Sequence, residues 1–104
     1  MSKRLAFLEK LVADGKADSF GHYCYALELK NVGRVDDALA AFDTLRGKDE
    51  RYVPMYLMCG SMLLDASRPA EARVWLEQGV QIASSAGDAK ALGEIRDALS
   101  RCEP

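Results

Sequence analysis

The feature that most constrains the fold is a six-residue turn that recurs, loosely, after 34 residues. Residues 33–38 read Gly-Arg-Val-Asp-Asp-Ala, and residues 67–72 read Ser-Arg-Pro-Ala-Glu-Ala. Both lie between stretches in which apolar side chains recur every three or four residues, the spacing of an amphipathic helix. A period in this range is typical of proteins built from stacked pairs of helices. The sequence therefore predicts an all-α chain of antiparallel helix-turn-helix repeats.

The apolar pattern divides the chain into about six helices joined by short links. Gly33 is expected to end the second helix in the left-handed conformation that glycine adopts without strain. Pro54 fits the first turn of the fourth helix, where a missing N–H group costs little. No stretch alternates apolar and polar residues as a strand does, so no sheet is predicted. The first helix is expected to end before Gly15, and the second to run from Asp18 or Ser19 to about Val32. The third is expected to run from Asp36 to about Gly47, and the fourth to begin near Pro54. The fifth is expected to run from Pro69 to Ser84 or Ser85, and the sixth to follow Asp88.

Composition excludes several classes of protein. The chain has 14 basic and 16 acidic side chains and therefore a net charge of −2. A nucleic-acid-binding protein would be expected to have a basic surface instead. No stretch reaches the roughly 20 apolar residues of a membrane span, so no membrane insertion is expected. Cys24, Cys59 and Cys102 are widely spaced and odd in number. This favours buried, reduced thiols over disulfides or a zinc site, and we expect a cytoplasmic protein.

Small and bulky residues recur at matching positions in residues 19–52 and 53–86. The slots of the first segment hold His22, Tyr25, Ala26, Leu29, Ala38 and Phe42, and those of the second hold Tyr56, Cys59, Gly60, Leu63, Ala72 and Leu76. In each segment a small residue on either helix lets the two backbones approach closely, and bulky neighbours fill the sides of that contact. This pattern resembles the tetratricopeptide repeat. Direct identities at the 34-residue spacing are Leu29/Leu63, Arg34/Arg68 and Ala38/Ala72, and the family's terminal proline is replaced by Glu50 and Ser84.

The resemblance implies a single domain over residues 1–104. It divides the chain into a leading half-repeat helix (1–16), repeat 1 (19–52), repeat 2 (53–86) and a C-terminal capping helix (87–102). Residues 5–11 align with residues 39–45, again at a spacing of 34, so the first helix matches the second helix of a truncated repeat. In the sixth helix Glu94 occupies the small-residue slot, as expected of a helix that closes an array.

Few residues are candidates for chemistry, and no catalytic, cofactor-binding or metal site is predicted. His22 is the only imidazole, and it occupies a bulky slot, so packing is the favoured role. His22 and Cys24 are two residues apart and therefore lie on different faces of a helix, which leaves a Cys–His nucleophile pair poorly supported. The carboxylates of Asp36 and Asp37 lie at a helix start, where they serve the helix dipole. We expect a protein that is not an enzyme.

The family resemblance indicates where a protein or peptide partner would bind. In such arrays the first helix of each pair lines a concave groove. The corresponding residues here are Phe20, Tyr23, Leu27, Lys30 and Asn31, followed by Leu57, Met58, Ser61, Leu64 and Asp65. This surface is unusually apolar, which favours an apolar peptide segment anchored by Phe20, Tyr23 and Leu57. Tyr23, Leu27 and Met58 stand where a clamp for a C-terminal carboxylate would need Lys or Asn.

Other interpretations of the groove remain open at this point. A homodimer, or the sixth helix, would cover the same apolar residues, since such surfaces seldom stay bare in a monomer. A small chaperone-like protein for a secreted or assembling partner is a related alternative. The methionines Met55, Met58 and Met62 have helical spacing and suit either core packing or an adaptable contact surface. Trp75, beside the bulky slot of Leu76, belongs either to the core or to a partly exposed position.

Overall fold

The computed structural model describes residues 2–102, and this part of the chain forms six α-helices and no strand. The all-α prediction and the number of helices are confirmed. Met1, Glu103 and Pro104, which the predicted domain bounds include, lie outside the described residues. The helices are α1 (Lys3–Ala13), α2 (Ser19–Asn31), α3 (Val35–Lys48), α4 (Val53–Asp65), α5 (Pro69–Ala86) and α6 (Ala89–Ser100).

The chain divides into two compact units, Met1–Asp49 and Glu50–Pro104. The first unit contains α1, α2 and α3, and the second contains α4, α5 and α6. Within each unit, helices that follow one another in sequence pack antiparallel, and α4 also contacts α6. Each unit is therefore a triplet of helices. The division of the sequence into repeats at residues 19–52 and 53–86 stays a prediction.

The core of the first unit combines small and large apolar residues. Ala26 of α2 and Ala38 of α3 are fully buried, which keeps these two helices close together. Tyr25, one of the slot residues of the first repeat, is only half-buried. The buried apolar side chains are Leu5, Leu8, Ala26, Leu29, Ala38, Ala41, Phe42 and Leu45.

Two glycines let α4 and α5 pack closely in the second unit. A Cβ atom on Gly60 would lie 2.5 Å from Cγ and Cδ2 of Leu76, and one on Gly79 would lie 2.7 Å from Cβ of Tyr56. These distances are shorter than side-chain carbons tolerate, so only glycine fits at this separation of the helices. Tyr56 fills the space that Gly79 leaves and donates its hydroxyl to the carbonyl of Glu50.

The open alternatives for Trp75 and the methionines resolve in the second unit. Trp75 is 5% exposed and packs its ring on Tyr56 with centroids 6.2 Å apart. Partial exposure of Trp75 was therefore the wrong alternative. Met55 and Met62 are buried in the core, whereas Met58 is half-buried. Ile95 and Ala98 attach α6 to this core.

Four of the five turns between helices share one backbone motif. After α2, the N–H groups of Gly33 and Arg34 donate to the carbonyls of Lys30 and Leu29 at 3.0 and 2.9 Å. This is a Schellman motif, in which a residue with positive φ ends the helix. Gly33 has φ of +83°, as the sequence predicts. The same pair of bonds ends α1, α4 and α5.

Position 67 reaches this conformation without glycine. Ser67 has φ of +60°, and its N–H and that of Arg68 donate to Leu64 and Leu63 at 3.0 and 2.8 Å. The sequence did not predict a left-handed serine. After each of the two matching turns, an arginine pairs with a carboxylate in the first turn of the next helix. Arg34 Nε lies 2.8 Å from Asp37 Oδ2, and Arg68 Nε lies 2.7 Å from Glu71 Oε1.

Helix α6 departs from the 34-residue period. Helix α5 has 18 residues against 14 in α3, and α6 begins at Ala89, two residues later than the period places it. Asp88 caps it by accepting a hydrogen bond from the N–H of Ala91 at 3.0 Å, as predicted. The later start places Ile95 and Ala98 against the core, and Glu94 is exposed.

Candidate partner-binding surfaces

The first predicted surface, called here the α2 face, lies entirely on one helix. Asp18 begins this helix by accepting a hydrogen bond from the N–H of Gly21 at 2.8 Å. Phe20 is 63% exposed, and Asn31 is also exposed. The other three residues are half-buried. The α2 face consists of Phe20, Tyr23, Leu27, Lys30 and Asn31.

Tyr23 and Phe20 contribute to the α2 face in different ways. The ring of Tyr23 packs on the fully buried Phe42 at a centroid distance of 6.4 Å and a tilt of 58°. Tyr23 therefore supports the core as well as the surface. Phe20 is a large apolar group in contact with water, and it is the better probe of binding at this face.

The second predicted surface, the α4 face, belongs to the other compact unit. Pro54 lies in the first turn of its helix. Four of its residues are half-buried and the fifth, Asp65, is exposed. The α4 face consists of Leu57, Met58, Ser61, Leu64 and Asp65. Partial exposure of four apolar or small side chains leaves them accessible for contact along this helix.

A pocket of about 200 Å³ lies beside the α4 face, between α4 and α6. Leu57 is the predicted residue that lines it. Its other lining residues are Val53, Pro54, Asp88, Lys90, Ala91 and Glu94. Helix α6 thus forms one wall of the pocket next to Leu57 rather than covering that residue.

The sequence did not assign α6 to this pocket. The 34-residue spacing from Phe20 leads to Pro54, so the pattern contained the signal for one missed residue. The contribution of α6 was missed because this helix was interpreted as a closing element, and its two-residue shift hid the match with α4.

Exposed apolar side chains also occur outside the predicted surfaces. Phe7 on α1 is 66% exposed, Val74 on α5 is 52% exposed, and Val32 after α2 is 44% exposed. A shallow depression of about 230 Å³ follows α1 and is lined by Leu5, Ala6, Glu9, Lys10 and Ala13. None of these features was predicted as a binding site.

The environment of His22 suits packing. The side chain is 7% exposed. Burial lowers the pKa of His22 below 6.5, the positive charge of Lys48 lowers it further, and the carboxylate of Asp18 opposes both effects. The neutral imidazole is therefore favoured near pH 7. Within residues 2–102, no group of three or more His, Cys, Asp or Glu side chains is arranged to hold a metal ion.

Solved structures give the relationship of this chain to other proteins. The crystal structure of a tetratricopeptide repeat domain protein from Salinibacter ruber is 30% identical, with a TM-score of 0.74, and the match covers 82% of this chain and 96% of that one. The chain belongs to the tetratricopeptide repeat family. A solution NMR structure of a tetratricopeptide repeat domain protein from Salinibacter ruber agrees, at 31% identity and a TM-score of 0.77 over 83% of this chain and 87% of that one.

A third structure supports the fold over a longer stretch. The solution structure of a protein from Bordetella parapertussis matches 98% of this chain and 89% of its own, with a TM-score of 0.82 and 24% identity. No family model and no curated protein matches the sequence. As a tetratricopeptide repeat domain, the chain has a fold that generally serves interaction with other proteins and is typically not catalytic.

Across residues 2–102, none of the helices of this tetratricopeptide repeat domain combines the length and the apolar character that crossing a bilayer requires.

Proposed function

We propose that this tetratricopeptide repeat domain is a non-enzymatic adaptor that binds an apolar segment of a partner protein at the α4 face and its adjoining pocket. The α2 face is a second contact surface for the same kind of segment. The observation that carries the proposal is the pocket beside Leu57, because an apolar side chain of the predicted surface there lines an accessible cavity.

The size of the pocket favours a peptide side chain as its occupant. Sites for small-molecule ligands usually have volumes of about 300–1,000 Å³, and this pocket has about 200 Å³. Val53, Pro54, Leu57 and Ala91 provide apolar walls. Such a cavity suits one bulky apolar side chain of a longer segment that continues along the helix.

Charged residues surround the apolar walls of the pocket. Asp88, Lys90 and Glu94 are exposed and come from α6. An apolar centre with a polar rim is the usual arrangement of a protein interface, where the centre provides most of the binding energy. The rim residues of both signs would orient the polar backbone and flanking side chains of the bound segment.

Charge substitution at the two faces tests the proposal. We expect Leu57→Glu to weaken capture of partners from the native cell by about tenfold or more, because a buried charge is placed in an apolar contact. Phe20→Glu is expected to weaken capture as well, since it alters the most exposed apolar residue of the α2 face. Circular dichroism melting of each variant verifies that it remains folded.

Val74→Glu is the matched control, because Val74 is exposed on α5 and lies outside both faces. It should capture the same partners as the wild type. Equal capture by the wild type, Leu57→Glu and Phe20→Glu would show that these faces do not bind the partner. A dimer in sedimentation experiments that Leu57→Glu dissociates would instead show that a second copy of the chain covers the α4 face.

A further inference from the structure

Helix α1 leaves a large aromatic side chain in water. Phe7 is 66% exposed, the highest value among the large apolar residues of the described chain. Positions 34 and 68 residues later hold Ala41 and Trp75, which are 8% and 5% exposed. The same position in the repeat is thus buried twice and exposed once. Its exposure in α1 calls for a specific structural reason.

The structural reason is that no helix among residues 2–49 covers the side of α1 that carries Phe7. In the second unit, α5 packs against both α4 and α6, and Trp75 of α5 contacts Tyr56 of α4. In the first unit, α1 packs against α2 as α5 packs against α6. Nothing in residues 2–49 occupies the place beside α1 that α4 takes beside α5. Phe7 therefore lies where a first helix would cover it.

The surroundings of Phe7 define the charge of that helix. On a helix surface a side chain has four neighbours, three and four residues before and after it. For Phe7 these are Lys3, Arg4, Lys10 and Leu11, so three of the four are cations, and all three cations are exposed. Lys10 pairs with Asp14 at 3.3 Å and Arg4 with Glu28 at 3.8 Å. The pair of Lys10 with Asp14 is exposed on both sides and is therefore weak and readily exchanged, whereas only 14% of the Glu28 side chain that faces Arg4 is exposed.

We propose that the α1 face, defined as Phe7 with Lys3, Arg4, Lys10 and Leu11, docks an acidic amphipathic helix of a partner protein. The docked helix takes the place beside α1 that α4 takes beside α5, buries its apolar stripe on Phe7 and Leu11, and pairs its carboxylates with the surrounding cations. This proposal concerns a different surface from the α4 face and does not depend on the function proposed above.

A second copy of the chain fits this face less well. Two α1 faces in contact would oppose cations with cations, which disfavours association. On α6, Arg96 is exposed between the half-buried Leu92 and Leu99. Contact of α6 with the α1 face would again add a cation to a cationic surface. Charge complementarity favours an acidic helix.

The test uses a pair of synthetic peptides of roughly 18 residues, long enough to form helices. Both have a Leu, Tyr and Ala stripe on one side, and the flanking positions are Glu in one peptide and Lys in the other. We expect the full chain to bind the Glu peptide and not the Lys peptide, by fluorescence anisotropy. NMR amide shifts should map the Glu peptide to α1.

Substitutions assign the binding to the α1 face. Phe7→Ala should weaken binding of the Glu peptide by at least about tenfold, whereas Val74→Ala, at a similarly exposed apolar residue on α5, should leave it unchanged. Lys3→Glu combined with Lys10→Glu should reverse the preference in favour of the Lys peptide. Leu57→Glu should not affect binding, which separates this result from the function of the α4 face.

Three results would overturn the proposal. One is failure of the chain to bind the Glu peptide, and another is binding that Phe7→Ala does not change. The third is that the chain does not bind the peptides but makes an interaction of another class that depends on Phe7. That class would be a membrane if phosphatidylserine-containing vesicles bind, and a second copy of the chain if sedimentation shows a dimer that Phe7→Ala dissociates.

Discussion

Individual glycines in this chain have separate structural tasks. Gly60 lies in a helix against Leu76, and an added Cβ would come within 2.5 Å of two of its carbons. Gly93 lies in α6, and an added Cβ there would have no atom within 4 Å. The two residues therefore form a natural comparison between a glycine required by close packing and one that packing does not require.

Substitution by alanine should separate these two glycines. We expect Gly60→Ala to lower the free energy of unfolding by about 1–2 kcal/mol, because overpacking costs about 1–3 kcal/mol and the helix preference of alanine offsets up to about 1 kcal/mol. Gly93→Ala should raise it by up to about 1 kcal/mol. Urea unfolding measures both. A stabilised Gly60→Ala protein would show that Leu76 moves aside without cost.

Helices were predicted well because their ends have local signals. The predicted positions at helix ends are occupied by Asp18, Asp88, Pro54 and Gly33. The left-handed Ser67 was missed because nothing in a serine side chain specifies positive φ, and the surrounding helices impose that conformation. The later start of α6 was missed because it follows from the length of α5, which no single residue determines.

The end of α4 should tolerate a residue better suited to its backbone. Ser67→Gly is expected to raise the free energy of unfolding by about 0.5–1 kcal/mol, because glycine adopts positive φ without the clash of a Cβ atom. Gly33→Ser, at the matching turn after α2, should lower it by a similar amount. Thermal unfolding of the two variants tests this. Equal melting temperatures for Ser67→Gly and the wild type would show that Ser67 is not strained.

Across the whole molecule, the sequence was more informative about architecture than about the site. The residues of the α2 and α4 faces followed from the family resemblance, and three of the ten are exposed while seven are half-buried. Their role in binding stays a prediction. The pocket wall that α6 forms beside Leu57 could not be predicted from the sequence, since it depends on how the third helix of a unit packs. The exposure of Phe7 could not be predicted for a related reason, because it depends on which helices pack against α1.

Because the chain has a single histidine, its stability near neutral pH should reflect one side chain. The folded-state pKa of His22 is lowered, so the unfolded chain binds a proton at higher pH than the folded chain does. The stabilising contribution is complete above about pH 6.5 and is lost as the pH falls from there through the folded-state pKa. We expect urea unfolding to show lower stability at about pH 5.5 than at about pH 7.

His22→Gln is the control for this pH dependence. It removes the imidazole and leaves the carboxylates, so the loss of stability between the two pH values should be smaller than in the wild type. NMR titration of the His22 ring should give a pKa below 6.5. An identical pH dependence in both proteins would assign the effect to other groups.

The close contact of Gly79 with Tyr56 has a consequence for how the two halves of the sequence compare. The positions 34 residues earlier hold Leu45 and His22, both buried. Gly79, which has no side chain, is paired with the very large Tyr56, whereas Leu45 and His22 are both of middle size. At neither position do the two halves of the sequence have the same residue. Moving one member of a pair alone between the halves would therefore leave a void or a steric clash, so each half keeps its core only when both members change together.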